Sequence, residues 1–171
     1  MKIEEKIVNK VAKSGLITID LQNFAPKKEI VIYDIKENLF HGLILKEKDF
    51  RSFVKEHDWA QYRDKHIGIT CSADAIVPTW AYMLLTTKFA DYAASIHFGT
   101  REEVEENLYL EAIRQIDFSQ YQDKRMVIKG CSDKPLPEAA FVSFTKKLHG
   151  VAKSIMYGEP CSTVPVYKRR S

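Results

Sequence analysis

The sequence predicts an α/β protein: a mostly parallel four-stranded sheet with flanking helices over residues 65–158, preceded by an N-terminal helix and an antiparallel β meander. Three observations carry this. After Trp59, short runs of β-branched and aromatic residues alternate with helical periodicity, the pattern of parallel sheets with right-handed crossovers. Before Trp59, three such runs follow one another with only turn residues between them. Finally, the dipeptides Cys71-Ser72, Cys131-Ser132 and Cys161-Ser162 each follow an apolar run or lie a few residues beyond one, at intervals of 60 and 30 residues (131 − 71 and 161 − 131). About 30 residues is one strand-helix-strand unit, so the thiols repeat with the fold.

Taken in order, Ile3, Ile7, Val8 and Val11 stand at helical spacing in the first 14 residues, and Gly15 offers a C-terminal stop. Residues 16–21, 29–35 and 39–45 read as the meander, with turns around Asn23–Pro26 and Lys36–Asn38. From Lys46 to His57, Phe50, Phe53 and Val54 mark the apolar face of a charged helix. Residues 65–70 form the first parallel strand, and Pro78 opens a helix to Tyr92 at the one helical position that tolerates it. Ser95–Phe98 is the second strand. Thr100 caps a helix with an acidic first turn, suited to the positive helix end, that runs to about Ile116. Residues 124–129, 138–149 and 153–157 complete the set as strand, helix and strand. No sequence repeat beyond this structural period is legible.

A chain of 171 residues with 45% hydrophobic residues buries one sizeable core, so 1–171 reads as a single domain: 1–61 a β-rich extension, 62–171 the α/β core. The net charge of +3 comes from interleaved charges, with no nucleic-acid footprint, and the closing Lys168-Arg169-Arg170 reads as a solvated end. No run approaches the roughly 18 apolar residues of a membrane span, and Met1–Glu5 lacks a signal-peptide core, so a cytoplasmic protein is expected. Three cysteines there are thiols, ligands or packing rather than a disulfide framework.

A flavodoxin-like strand order would make the three cysteine-bearing strands neighbours, about 4.8 Å apart, at the sheet's carboxyl edge where open α/β proteins bind ligands. Cys71, Cys131 and Cys161 would then form a three-thiolate site for zinc or an iron-sulfur cluster. Asp74 and Asp133 would be supporting ligands, His97 a remote fourth one, and Ser72, Ser132 and Ser162 donors to sulfur. No pair has the two-residue spacing of a zinc ribbon. Two alternatives stand beside this reading. Strand, Cys71, a short loop and a helix is the layout of a rhodanese-like sulfurtransferase with Cys71 as nucleophile, although the loop has no Arg and carries Asp74. The other is a non-catalytic interaction module whose cysteines only pack. Glycine-rich phosphate loops, Walker patterns, His-Glu zinc helices and Ser-centred elbows are absent from the sequence.

Long motifs suggest a family. Asp34-Ile-Lys-Glu-Asn-Leu-Phe, Leu43-Ile-Leu-Lys-Glu-Lys-Asp-Phe, Thr70-Cys-Ser-Ala-Asp-Ala-Ile-Val-Pro-Thr-Trp-Ala-Tyr-Met, Lys129-Gly-Cys-Ser-Asp and Ser154-Ile-Met-Tyr-Gly-Glu-Pro-Cys-Ser-Thr-Val-Pro resemble the bacterial, mainly Bacteroidota, domain of unknown function 2480 family over almost the whole chain. All three Cys-Ser motifs match its pattern. The resemblance implies a neighbourhood of sulfur-mobilisation genes, hence iron-sulfur assembly proteins as partners, and implies no activity. A two-fold homodimer is the default assembly expected.

Overall fold

The computed structural model describes residues 15–130 and 135–170. In chain order its strands and α-helices are β1 Leu16–Asp20, β2 Ile30–Asp34, α1 Glu47–Glu56, β3 His66–Thr70, α2 Thr79–Phe89, β4 Ser95–Phe98, α3 Arg101–Arg114, β5 Arg125–Lys129, α4 Glu138–Leu148, β6 Ser154–Glu159 and β7 Ser162–Lys168. The chain divides into two compact units: an inserted unit, Pro26–Leu108, and a host unit, Met1–Ala25 with Tyr109–Ser171. The α/β class holds, as does a mostly parallel four-stranded sheet. The helix expected over the first 14 residues lies outside the described residues.

In the inserted unit β2, β3 and β4 run parallel in that order, Ile30 beside His66 and His66 beside Ser95. Successive strand residues face opposite ways. Tyr33, Ile67, Ile69 and Ile96 therefore meet the apolar sides of α1 and α2, where Phe50, Val54, Leu85 and Phe89 are buried. Ile30 and Ile32 face the other way, onto Val104 and Leu108 of α3. Gly68 lies on this second face, where an added Cβ would stand 2.6 Å from Ile32 Cδ1 and 2.7 Å from Val104 Cγ2. The start of α3 is a capping box: the Thr100 amide donates to Glu103 Oε2 at 2.7 Å, and the Glu103 amide to Thr100 Oγ1 at 3.3 Å.

In the host unit the order is β1-β5-β6-β7, the first three parallel and β7 antiparallel on β6. Its core joins Leu21, Tyr109, Ile113, Met126, Ile128, Phe144, Leu148 and Ile155.

Four details depart from the sequence reading. The four strands expected to form one parallel sheet are divided between two, β3 and β4 in one and β5 and β6 in the other. The first two meander strands are parallel edge partners, β1 of β5 and β2 of β3, because each buries its apolar side against a strand far along the chain. The third, 39–45, is a turn closed by a single bridge, Phe40 to Ile44, with His41 and Gly42 at φ 50° and 71°. A residue with positive φ ends extended pairing. Last, β7 occupies a stretch where the sequence suggests no strand; its edge position leaves the missing N–H of Pro165 without cost.

The two units are copies of one design, which the sequence reading missed. Asp58-Trp-Ala-Gln-Tyr-Arg-Asp-Lys65 and Asp117-Phe-Ser-Gln-Tyr-Gln-Asp-Lys124 each open with an Asp capping a 3₁₀ turn, its carboxylate on the amide two residues on at 3.0 and 2.9 Å. In each, Gln61 or Gln120 donates to the Asp carbonyl at 2.7 Å. Asp64 and Asp123 both adopt left-handed backbone, φ 60° and 59°. Their amides donate to Tyr92 O and Val151 O, each at 3.0 Å. The helices that follow match too, with Ala81, Leu85 and Phe89 buried where Ala140, Phe144 and Leu148 are. At the front, Asp34 and Asp20 each end a first strand and cap the next turn, on the amides of Lys36 and Gln22.

Candidate functional site

Superposing the two copies by their sequence explains the cysteine spacing. In sequence, Thr70-Cys71-Ser72 follows β3 and Lys129-Gly130-Cys131-Ser132 follows β5, an interval of 60 beside the 59 that separates Asp58 from Asp117. Thus two of the three Cys-Ser dipeptides belong to the repeat. The expectation that all three cysteine-bearing strands neighbour one another in a single sheet does not hold: β3, which delivers Cys71, belongs to the other sheet from β5 and β6.

Cys71 is half-buried, packs on the core of the inserted unit and donates its thiol to Ala73 O at 3.7 Å. Ser72 does not serve the sulfur. Its amide donates to Asp34 Oδ1 at 3.0 Å and its hydroxyl to Asp34 Oδ2 at 2.5 Å, clamping the end of β3 to the end of β2. Asp74 is exposed. Cys161 is exposed in the turn between β6 and β7, and Ser162 begins β7 opposite Glu159. Cys131, Ser132 and Asp133 lie outside the described residues. His97 bonds through Nε2 to Ser95 Oγ at 2.7 Å, and strand alternation turns it to the face opposite Phe98, the side away from Cys71. Among the described residues no three of His, Cys, Asp and Glu assemble into a metal-ligand set.

Electrostatics at this edge centre on Asp34. Partial burial pushes its pKa up, but the Ser72 hydroxyl and amide, the Lys36 amide and the Lys36 ammonium outweigh it and hold the carboxyl below the usual range. Tyr82 is pushed up by burial first, then by Cys71 and Asp34. An anionic substrate approaching Cys71 meets this negative field, the opposite of what an anion-handling thiol needs. Because the folded pKa of Asp34 is depressed, its contribution to stability is present above the ordinary aspartate value and is lost as pH falls through the lowered one. Asp34→Asn is expected to cost about 1 kcal/mol at neutral pH, the charge-assisted share of the bonds from Ser72 and Lys36, since asparagine can still cap the turn, and the loss should shrink in acid. Urea midpoints of wild type and variant along a pH series check this.

The equivalent edge of the host unit is built differently. Lys129 bridges Asp20 at 3.6 Å and Glu159 at 3.5 Å, tying three strand ends, and both carboxylates raise its pKa, Glu159 the more. Beside it an apolar groove of about 520 Å³ is lined by α4 and strand residues, Ile128, Gly130, Leu136, Phe141, Val142 and Tyr157 among them, with Glu138 as the one charged residue of its lining. Gly130 is required there: a Cβ would meet Phe141 Cζ at 2.5 Å and Leu136 Cδ1 at 2.7 Å.

Each copy keeps an aromatic pair at this place. Tyr82 stands edge-on to Phe98 with centroids 5.5 Å apart, and Phe141 to Tyr157 at 5.9 Å. Around each pair apolar side chains are left in solvent, Met83 65% and Phe98 71% exposed in one copy, Val142 67% and Tyr157 44% in the other. Neither pair stands out in the sequence. Aligning the two Asp-x-x-Gln-Tyr-x-Asp-Lys segments would have paired them.

A second hollow, of about 440 Å³, lies over Tyr33, Asn38, Phe53 and His57. Tyr33 donates there to Asn38 Oδ1 at 2.7 Å and His57 is bonded to Tyr62 at 3.0 Å; burial lowers the His57 pKa and favours neutral imidazole. It reads as structure.

A protein-family model described as Protein of unknown function (DUF2480) matches residues 5–169. No curated protein and no solved structure gives a match. No helix among the described residues is long and apolar enough to cross a membrane.

Proposed function

The chain belongs to the DUF2480 family, whose description names no activity, and from the site alone we propose that it is a non-catalytic binding module whose host-unit groove takes a small, mainly apolar molecule with a cationic or hydrogen-bond-donating head. One observation carries this: a groove of about 520 Å³ walled mainly by apolar side chains, with Glu138 as the one charged residue of its lining. Small-molecule sites fall between about 300 and 1,000 Å³ and combine an apolar lining with a few placed polar groups. The carboxylate sets the sign of the head group. Cysteines need no chemistry in this reading; Cys71 packs, and the strand-end dipeptides are a repeated structural element.

Nile red, a neutral dye that brightens in apolar surroundings, provides the test. It is expected to bind saturably, to be displaced better by dodecylammonium than by dodecyl sulfate, and to lose that preference in Glu138→Gln. Val142 is 67% exposed, so Val142→Asp should leave the fold intact while abolishing binding. Unsaturable dye binding, or equal binding by Val142→Asp, overturns the reading.

One observation favours a thiol reading as second. In sequence the Cys-Ser dipeptide follows the middle strand of each copy although the flanking residues differ. In this reading the thiols hold zinc or an iron-sulfur cluster within each unit, Cys71 with Asp74 in one and Cys131 and Cys161 with Asp133 in the other, in the service of iron-sulfur assembly proteins in a bacterial cytoplasm. Anaerobic purification with metal analysis and an absorption spectrum tests it: bound metal lost on Cys→Ser substitution supports it, and metal-free, colourless protein refutes it.

A further inference from the structure

The two copies differ at one sheet edge. In the host unit the third parallel strand, β6, is covered by β7, with Tyr157 opposite Val164 and Ile155 opposite Tyr167. Its counterpart in the inserted unit, β4, has β3 on one side and no strand on the other among the described residues. Two of the other edge strands carry protection. β7 has Pro165 in mid-strand and ends in Lys168, devices that block further pairing. On β2, the Ile30 carbonyl accepts from Arg101 Nη2 at 2.8 Å. β4, Ser-Ile-His-Phe, has no proline, no lysine and no bulge.

The polar groups of that edge are aimed outward. The Gly99 amide donates to Ile69 O of β3 at 3.0 Å. Hydrogen-bonding directions alternate along a strand, so His97 also turns to β3, while Ile96 and Phe98 present their N–H and C=O to the open side. These are the counterparts of Ile155 and Tyr157, the residues on which β7 pairs in the host unit. Beside them Phe98 and Met83 stand 71% and 65% exposed.

We propose that the open edge of β4 takes the β4 edge of a second copy of this chain, joining two three-stranded sheets into one of six strands. The occupant is chosen by direction. In the host unit the matching edge pairs with an antiparallel strand, and two identical edges related by a two-fold axis are necessarily antiparallel. Side chains directly opposite must share a face, so the axis passes through a residue, and only His97 pairs both outward-bonding residues of β4 with each other: His97 faces His97 of the second copy, and Ile96 faces Phe98 on both sides of it. Two hydrogen-bonded Ile96–Phe98 pairs result, flanked on the α2 face by the otherwise exposed phenylalanine rings. The surface is separate from the host-unit groove and does not depend on the reading given to it.

Sedimentation equilibrium over a concentration series is expected to show a monomer-dimer equilibrium that Phe98→Lys weakens about tenfold or more. Circular dichroism of Phe98→Lys should match wild type, since the replaced side chain is mostly in solvent. The register is tested by crosslinking. Opposed non-hydrogen-bonded residues have Cα atoms about 4.5 Å apart, within disulfide reach. With the native cysteines replaced by serine, oxidised His97→Cys should become a covalent dimer, while Thr87→Cys on exposed helix should not. If the serine background fails to fold, the same pair in the native-cysteine chain is compared by mass mapping of the disulfide. A monomer at every concentration overturns the proposal. So does a dimer that His97→Cys fails to crosslink, which would place the interface elsewhere, or a monomer that binds a peptide of sequence Ser162–Lys168, which would make the occupant a foreign strand.

Discussion

Phe89→Ala is expected to destabilise the inserted unit by about 3–5 kcal/mol, the range for removing a buried aromatic ring. Phe89 is fully buried, and its ring packs edge-on against Tyr33, Trp59 and Tyr62 at centroid distances of 5.5, 5.0 and 4.9 Å. Few neighbours can collapse into the space, because Trp59 is held by its indole N–H on Val54 O at 2.9 Å and Tyr33 by its hydroxyl on Asn38. Both tryptophans of the chain, Trp59 and Trp80, lie in this unit. Tryptophan fluorescence in urea therefore reports on it directly, and the midpoint should fall sharply with Phe89→Ala. A change below about 1 kcal/mol would mean that the ring cluster is not the tight packing described.

The second large effect comes from a residue that the other copy already tolerates. Gly68 in β3 corresponds to Val127 in β5, which is fully buried. Gly68→Val nevertheless should cost about 1–3 kcal/mol, the usual range for overpacking. The added Cβ alone would lie 2.6 Å from Ile32 Cδ1 and 2.7 Å from Val104 Cγ2. Ile32→Val combined with Val104→Ala opens that space, so the triple variant should recover part of the loss. Such non-additivity is the mark of groups in contact, and urea denaturation of the single, double and triple variants measures it.

The strands β3 to β6 and all four helices were legible because periodicity is a local property: Phe50, Phe53 and Val54 announce α1, and Thr100 with its acidic turn announces α3. Pairing was not legible. Nothing in Ile30–Asp34 says that its partner is His66–Thr70 rather than the adjacent run, since a half-buried strand alternates in the same way whichever strand lies beside it. The segment 39–45 misled because Phe40, Leu43 and Ile44 are apolar yet exposed, at 45%, 62% and 60%. At the candidate site, the cysteines attracted notice for their chemistry, whereas the groove is made by Phe141, Val142 and Tyr157, each ordinary in sequence and informative only once α4 is laid over the strands. The repeat itself was hidden by its nesting. One copy is interrupted after Ala25 and resumes at Tyr109, so no single window contains it whole.

That nesting has a consequence for how the chain comes off the ribosome. Ile30 finds its partner His66 within a short stretch of newly made chain, whereas Leu16 must wait for Arg125. At about 5–20 residues per second, β1 stays without its sheet for several seconds while the inserted unit is made. Closing a long loop costs entropy that grows with its length, but only logarithmically, and a folded insert whose ends are held close shortens the span that must be closed. The inserted copy thereby acts as a clasp: by folding first it turns the most distant strand pairing in the protein into a local one.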